Sequence, residues 1–330
     1  MNLFYNQREE RPRTCWRLLF QLAIYAGAVA FSRLVAPGMW VALYRRVVDP
    51  GAIENPTSPT SLFLATQLTL LVVALLSVWF AGRLFDKRPI LEFGLHIDRE
   101  WWFDLSFGLF LGAFLMVGIV LIELEAGWVV VTGAFETIRK GAPFFAVILA
   151  PLAGWVFLGI HEELVFRGYQ LTNIAEGLNV PRLGAKGAVT LAVVLSSVLF
   201  GLFHVWNPNA SIISTINLTV WGGLLLGLGY VLTGRLALPM GLHIAWNILE
   251  GNIFGLPISG WGTLGAKFLS VKQGGPTLFT GGAFGPEAGL LTIAASIVGS
   301  LMIVLWVHAR SGRVSLRSSL AEPPNTVKNQ

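Results

Sequence analysis

Eight stretches of this chain are apolar over close to a bilayer's thickness: about 17–35, 62–80, 103–121, a run from 142, then 187–203, 212–232, 236–254 and 288–307. A helix needs roughly 20 residues to cross the hydrocarbon core. Lipid offers no water to backbone amides and carbonyls, so each spanning segment must satisfy its own hydrogen bonds. The expected fold is therefore all-α, a polytopic transmembrane helical bundle of about eight spans. Composition agrees: 54% of the 330 residues are hydrophobic, 12% are charged, and the mean hydropathy is +0.67. Soluble domains carry about 25% charged residues, and no polar block here is long enough to build one.

The net charge of +5 comes from basic residues clustered beside apolar runs. That is the pattern of membrane orientation signals; no aromatic-basic surface stretch points to nucleic acid. The single cysteine, Cys15, makes no intrachain disulfide and no thiolate metal site. The basic N-terminus leads into a long apolar run without a small-residue cleavage site, which reads as a retained helix.

The chain divides into a cytoplasmic N-terminal segment (1–16), N-terminal transmembrane helices (17–135), a core holding the motifs below (136–254), a Gly-rich extramembrane loop with the last span (255–309), and a polar tail (310–330) expected to be disordered. With the N-terminus inside, inner segments hold fifteen Lys and Arg and outer loops hold six. This bias places both termini in the cytoplasm of a multi-pass protein of the cell (inner) membrane.

Ionisable residues inside such spans are costly and point to function. They concentrate in Gly159-Ile-His-Glu-Glu-Leu-Val-Phe-Arg-Gly168. Glu163 and Arg167 are four apart and share a helix face, where they can pair. Glu162 points about 100° away and is free to face a cavity. Taken alone, Glu163–Arg167 is equally a structural ion pair. Phe200 and His204 are four apart near the end of the fifth run; His243 and Asn247 share a face in the seventh. Singly, His204 reads as an interfacial polar residue, and His243–Asn247 as an interhelical hydrogen-bonding pair. Glu250 is a weaker candidate, more fitting to an interface, and Asn217 fits a helix–helix polar contact. If the motif helix continues unbroken to about Leu178, Glu162 and His204 reach a similar depth on antiparallel neighbours around Arg182. One carboxylate, two histidines and an amide could then activate a water and stabilise an oxyanion. The zincin pattern is absent, because Val165 stands where its second histidine belongs, and no Gly-x-Ser-x-Gly elbow occurs.

The ordered set Glu162-Glu163…Arg167, Phe200…His204 and His243…Asn247 resembles the three motifs of the CPBP family, the CAAX protease and bacteriocin-processing (ABI) proteins related to type II CAAX prenyl endopeptidases. The resemblance covers about residues 140–254, and the stretch 280–289 also looks like a loop of some bacterial members. It implies an intramembrane endopeptidase. Glu162 would activate water with help from His204; His243 and Asn247 would stabilise the oxyanion; Glu163 and Arg167 would support the architecture. Zinc on Glu162, His204 and His243 and a metal-free glutamate mechanism are both compatible with it. The implied partners are the lipid bilayer and a peptide or protein substrate, lipidated or not. Two other classes stay open: a non-catalytic scaffold or bacteriocin-immunity protein of the same fold, and a proton-coupled transporter, although no pseudo-symmetric halves are visible. Convergence of Glu162, His204 and His243 in one polar cavity separates the protease from both.

Overall fold

The computed structural model describes residues 3–7, 9–35, 38, 59–138 and 141–324. Residues 36–37 and 39–58, between the first two apolar runs, and Arg8, Arg139, Lys140 and Lys328 from the charge count, lie outside these residues. The main helices are α1 (Thr14–Leu34), α2 (Pro59–Ala81), α3 (Arg99–Glu125), α4 (Phe144–Leu178), α5 (Gly184–Phe203), α6 (Ile212–Thr233), α7 (Ala237–Asn247, continued by a π turn to Ile253) and α8 (Leu290–Ser311).

Among the described residues, seven helices are long and apolar enough to cross a membrane. The remaining apolar run forms α7, which is shorter and differs in kind. Every residue from Ala237 to Asn247 is buried, as befits a helix apolar on all sides. It is the central post of the bundle. Gly108 and Gly112 of α3 and Gly241 of α7 let the two backbones touch: a Cβ on Gly108 would collide with the Leu238 carbonyl, and one on Gly241 with the Leu105 carbonyl. Small residues spaced by four allow such close approach where lipid supplies no hydrophobic drive.

Helix α4 runs unbroken over 35 residues, with a π-helical segment from Leu164 to Leu171 directly after the Glu-Glu pair. Glu162, its nineteenth residue, therefore sits near the middle of the helix. Beyond the π segment, Glu176 anchors the N-terminal region. It accepts from Arg11 Nη2 (2.5 Å), Arg17 Nη2 (2.7 Å) and Arg88 Nη2 (3.3 Å), while Arg17 also reaches Asp86 at 2.7 Å. A short hairpin, β1 (Tyr5–Asn6) with β2 (Arg11–Pro12), presents Arg11 to this cluster.

Two expectations need correction. The Gly-rich segment after α7 is not a plain loop, and the end of the N-terminal region after α3 is not helical. They pair as antiparallel strands, β3 (Val129–Thr137) with β4 (Ala266–Gln273), with a register shift between Val131 and Gly133. Val129-Val-Val-Thr has strand propensity, yet its partner lies far along the chain. The tail is ordered in its described part: Ser318–Ala321 form a 3-10 turn, with Leu320 and Ala321 buried, and the Ala321 carbonyl accepts from Asn179 Nδ2 at 2.9 Å. The two apolar side chains gain by covering the end of α4. Residues 325–330 lie outside the described residues.

Candidate active site

Glu162, His204, His243 and Asn247 line one cavity of about 630 Å³. The cavity sits at the end of the bundle away from both described termini. Tyr25 and Val29 of the second half of α1, the start of α2, the turn after α5 and the 258–264 loop enclose it.

The adjacent carboxylates divide as helical geometry requires. The Glu162 side chain keeps 16% of its surface accessible, whereas that of Glu163 keeps 0%. Glu163 Oε1 accepts from Arg167 Nη1 at 2.9 Å and from His243 Nδ1 at 2.8 Å. A carboxylate only accepts, so His243 carries a proton on Nδ1 and turns Nε2 toward Glu162, 4.0 Å from its Oε2. The Glu163–Arg167 pair is thus structural and also orients a residue of the cavity. That second link crosses from α4 to α7, and helix spacing alone carries no sign of it.

His204 caps the end of α5. Its Nδ1 donates to the Phe200 carbonyl at 2.8 Å, which leaves Nε2 as an acceptor. Phe200 does more than precede it by one turn. Its ring lies 4.3 Å from the Arg167 guanidinium carbon and packs edge-on against Phe166 at 5.2 Å. The buried cation therefore has a carboxylate on one side and an aromatic face on another. Trp221 of α6 meets His243 edge-on at 6.0 Å and stacks on Trp246 of α7 at 4.2 Å, which limits how far the imidazole can swing.

Several cavity residues escape sequence reasoning. Both nitrogens of the His161 ring find partners on other helices, Nε2 with Gln67 Oε1 at 2.9 Å and Nδ1 with the Tyr25 hydroxyl at 3.1 Å. His161 is a strut that ties α4 to α1 and α2 just beside Glu162. Glu287, after β4, also lines the cavity. Glu250 is not interfacial: it is 0% exposed, because the 255–289 loop folds over it. Asn217 donates to the Gly289 carbonyl at 3.0 Å, at the start of α8. Among the described residues, no three His, Cys, Asp or Glu side chains are grouped so as to hold a metal ion. The Nδ1 bonds of His204 and His243 leave both Nε2 atoms as acceptors beside Glu162, a donor set whose chemistry fits zinc.

The family model of type II CAAX prenyl endopeptidase Rce1-like proteins matches residues 144–249, the stretch from the start of α4 into the π turn after α7. This match covers the stretch that carries all three motifs, so that part of the chain is similar to the CAAX-type proteases. All four cavity residues named by the motifs fall inside that match. The uncharacterized protein YyaK of Bacillus subtilis is 26% identical over 318 residues, which cover 92% of this chain and 95% of the relative. The likeness thus extends well beyond the matched domain. No solved structure matches the chain. With its apolar helices and this family, the protein is an integral membrane protein.

Proposed function

We propose that this protein is an intramembrane endopeptidase that hydrolyses peptide bonds with a water activated by Glu162 and His204. The observation that carries the reading is the meeting of Glu162, His204, His243 and Asn247 in one cavity, from three helices, with Glu163 and Arg167 held behind them. In the proposed reaction a water between Glu162 and His204 Nε2 gives its proton to the Glu162 carboxylate, and its oxygen attacks the peptide carbonyl carbon. The Asn247 amide, and His243 Nε2 when it is protonated, donate to the resulting oxyanion. Collapse of the tetrahedral species breaks the C–N bond, and Glu162 returns the proton to the departing amine. Each step uses this chain's own groups.

With the N-terminus inside, as the basic residues lead us to expect, the cavity would face the extracytoplasmic side, since it lies at the end of the bundle remote from the N-terminus. A peptide presented from the outer leaflet then fits better than a cytoplasmic CAAX tail, and no feature of the cavity requires a prenyl group.

The test uses purified protein in nanodiscs with a quenched peptide library, prenylated and not, with and without chelator. Cleavage lost in both Glu162→Ala and His204→Ala supports the reading. Cleavage that survives Glu162→Ala sinks it, and chelator sensitivity reversed by zinc would require a metal at the site. A folded protein that binds no peptide and cuts none favours the scaffold or immunity reading.

A further inference from the structure

We propose that Glu287 is a substrate-binding residue of this cavity, and that it selects a peptide carrying a basic side chain beside the scissile bond. The inference rests on the endopeptidase reading. Glu287 belongs to none of the three motifs and lies outside the matched residues 144–249.

Its setting is built. The residue is 1% exposed yet lines the cavity. The Ser259 backbone N–H donates to Oε2 at 2.7 Å and the Ser259 hydroxyl donates to the same oxygen at 2.5 Å. Among the described residues, Oε1 takes no hydrogen bond and is left to the cavity. Glu250 lies behind, fully buried, with the Trp246 side chain and the Glu287 backbone beside its carboxyl. The loop reaches this position through Gly285 at φ 106°, where a Cβ would stand 3.0 Å from Glu250 Oε1.

The charge inventory sets the sign of the ligand. Among the described residues, the cavity is lined by two carboxylates, Glu162 and Glu287, and by no lysine or arginine. Arg167, behind the wall, is occupied by Glu163. The other titratable groups of the cavity are Tyr25 and the histidines His161, His204 and His243. The remaining wall is largely aromatic, including Phe63, Trp155, Phe203 and Trp261. Such a wall accepts the alkyl stem of a lysine or arginine while the head reaches Oε1. A free C-terminal carboxylate would meet two negative groups and no cation, so the cut falls within a chain rather than next to its carboxyl end.

The pH dependence has a definite sign. Burial pushes Glu287 up to about 7; the Ser259 hydroxyl and His243 act against the rise, and Glu162 adds to it. Glu250 is the other carboxylate packed against it. Above this value Glu287 is charged and prefers a cation; below it the carboxyl is neutral and the preference fades.

The experiment uses full-length protein in nanodiscs and doubly quenched peptides that differ at one position, Lys, norleucine or Glu, each as C-terminal amide and acid. At pH 8 the kcat/KM ratio of Lys over norleucine is expected to be roughly tenfold or more, the worth of one charge-assisted hydrogen bond, and to fall toward one at pH 6. Glu287→Gln should bring the ratio near one at both pH values, and Glu287→Asp should keep part of it. A ratio of one in the wild type at pH 8, or one that Glu287→Gln leaves unchanged, overturns the proposal. Binding separates this failure from that of the endopeptidase reading. If no peptide is cut, the Lys peptide should still bind the Glu162→Gln protein at least roughly tenfold more tightly than the norleucine peptide, and equal binding overturns the selectivity.

Discussion

Glu163 on α4 and His243 on α7 are joined by a 2.8 Å hydrogen bond, although 80 residues separate them. The same Glu163 oxygen holds Arg167 at 2.9 Å. One buried carboxylate thus settles the tautomer of a cavity histidine and neutralises a buried cation. Removing it leaves the Arg167 charge unpaired, which costs about 3–5 kcal/mol in a buried pair. Glu163→Ala is expected to unfold at markedly lower temperature in detergent, and Glu163→Gln to keep the fold better. Both should lower kcat, by roughly 10- to 100-fold for the loss of an orienting partner. A Glu163→Gln protein with wild-type kcat would contradict the link.

Glu162 should behave in the opposite way. Its side chain is partly accessible, and its one ion-pair contact among the described residues is the 4.0 Å approach of His243 Nε2. Glu162→Gln is expected to change the unfolding temperature little while removing peptide cleavage, by about 10²-fold or more for a lost general base. Thermal unfolding and initial rates on the same preparation check both halves.

Phe200 supports Arg167 as well as the helix that carries His204. Phe200→Leu conserves apolar volume but removes the ring face 4.3 Å from the guanidinium. The expected loss of stability is about 1–2 kcal/mol, from a partly desolvated cation–π contact and imperfect repacking. Denaturant unfolding would measure it, and Phe200→Tyr should recover most of it.

The α3–α7 contact predicts a steric failure. Gly108→Leu places a side chain into the Leu238 carbonyl, so it should abolish stable expression. Gly118→Leu on the same helix should be tolerated, because a Cβ there would meet no heavy atom within 4 Å. Expression and size-exclusion profiles of the two variants decide it.

Orientation can be read with two cysteines. Cys15 is native and exposed at the start of α1, whereas Gly262 lines the cavity with open space around a Cβ. On intact cells, an impermeant maleimide should label Gly262→Cys and spare Cys15. The reverse pattern would turn the cavity toward the cytoplasm.

The division between chain and fold runs along the range of the interactions. Spans, motif pairs and the polar character of Glu162 were legible because they depend on separations of about four residues along a helix or on the length of an apolar run. The continuous α4 was legible for the same reason. The β3–β4 pairing, the folded Ser318–Ala321 turn and the burial of Glu250 were not, since each depends on a segment arriving from far along the chain. By itself the sequence determined a helical membrane bundle and singled out the polar residues Glu162, His204, His243 and Asn247 that line the cavity. Only the tertiary structure decided that Glu163 orients His243, that His161 is a strut, and that Glu287 completes the cavity. Helical periodicity states which face a side chain occupies, but not which distant helix or loop that face will meet.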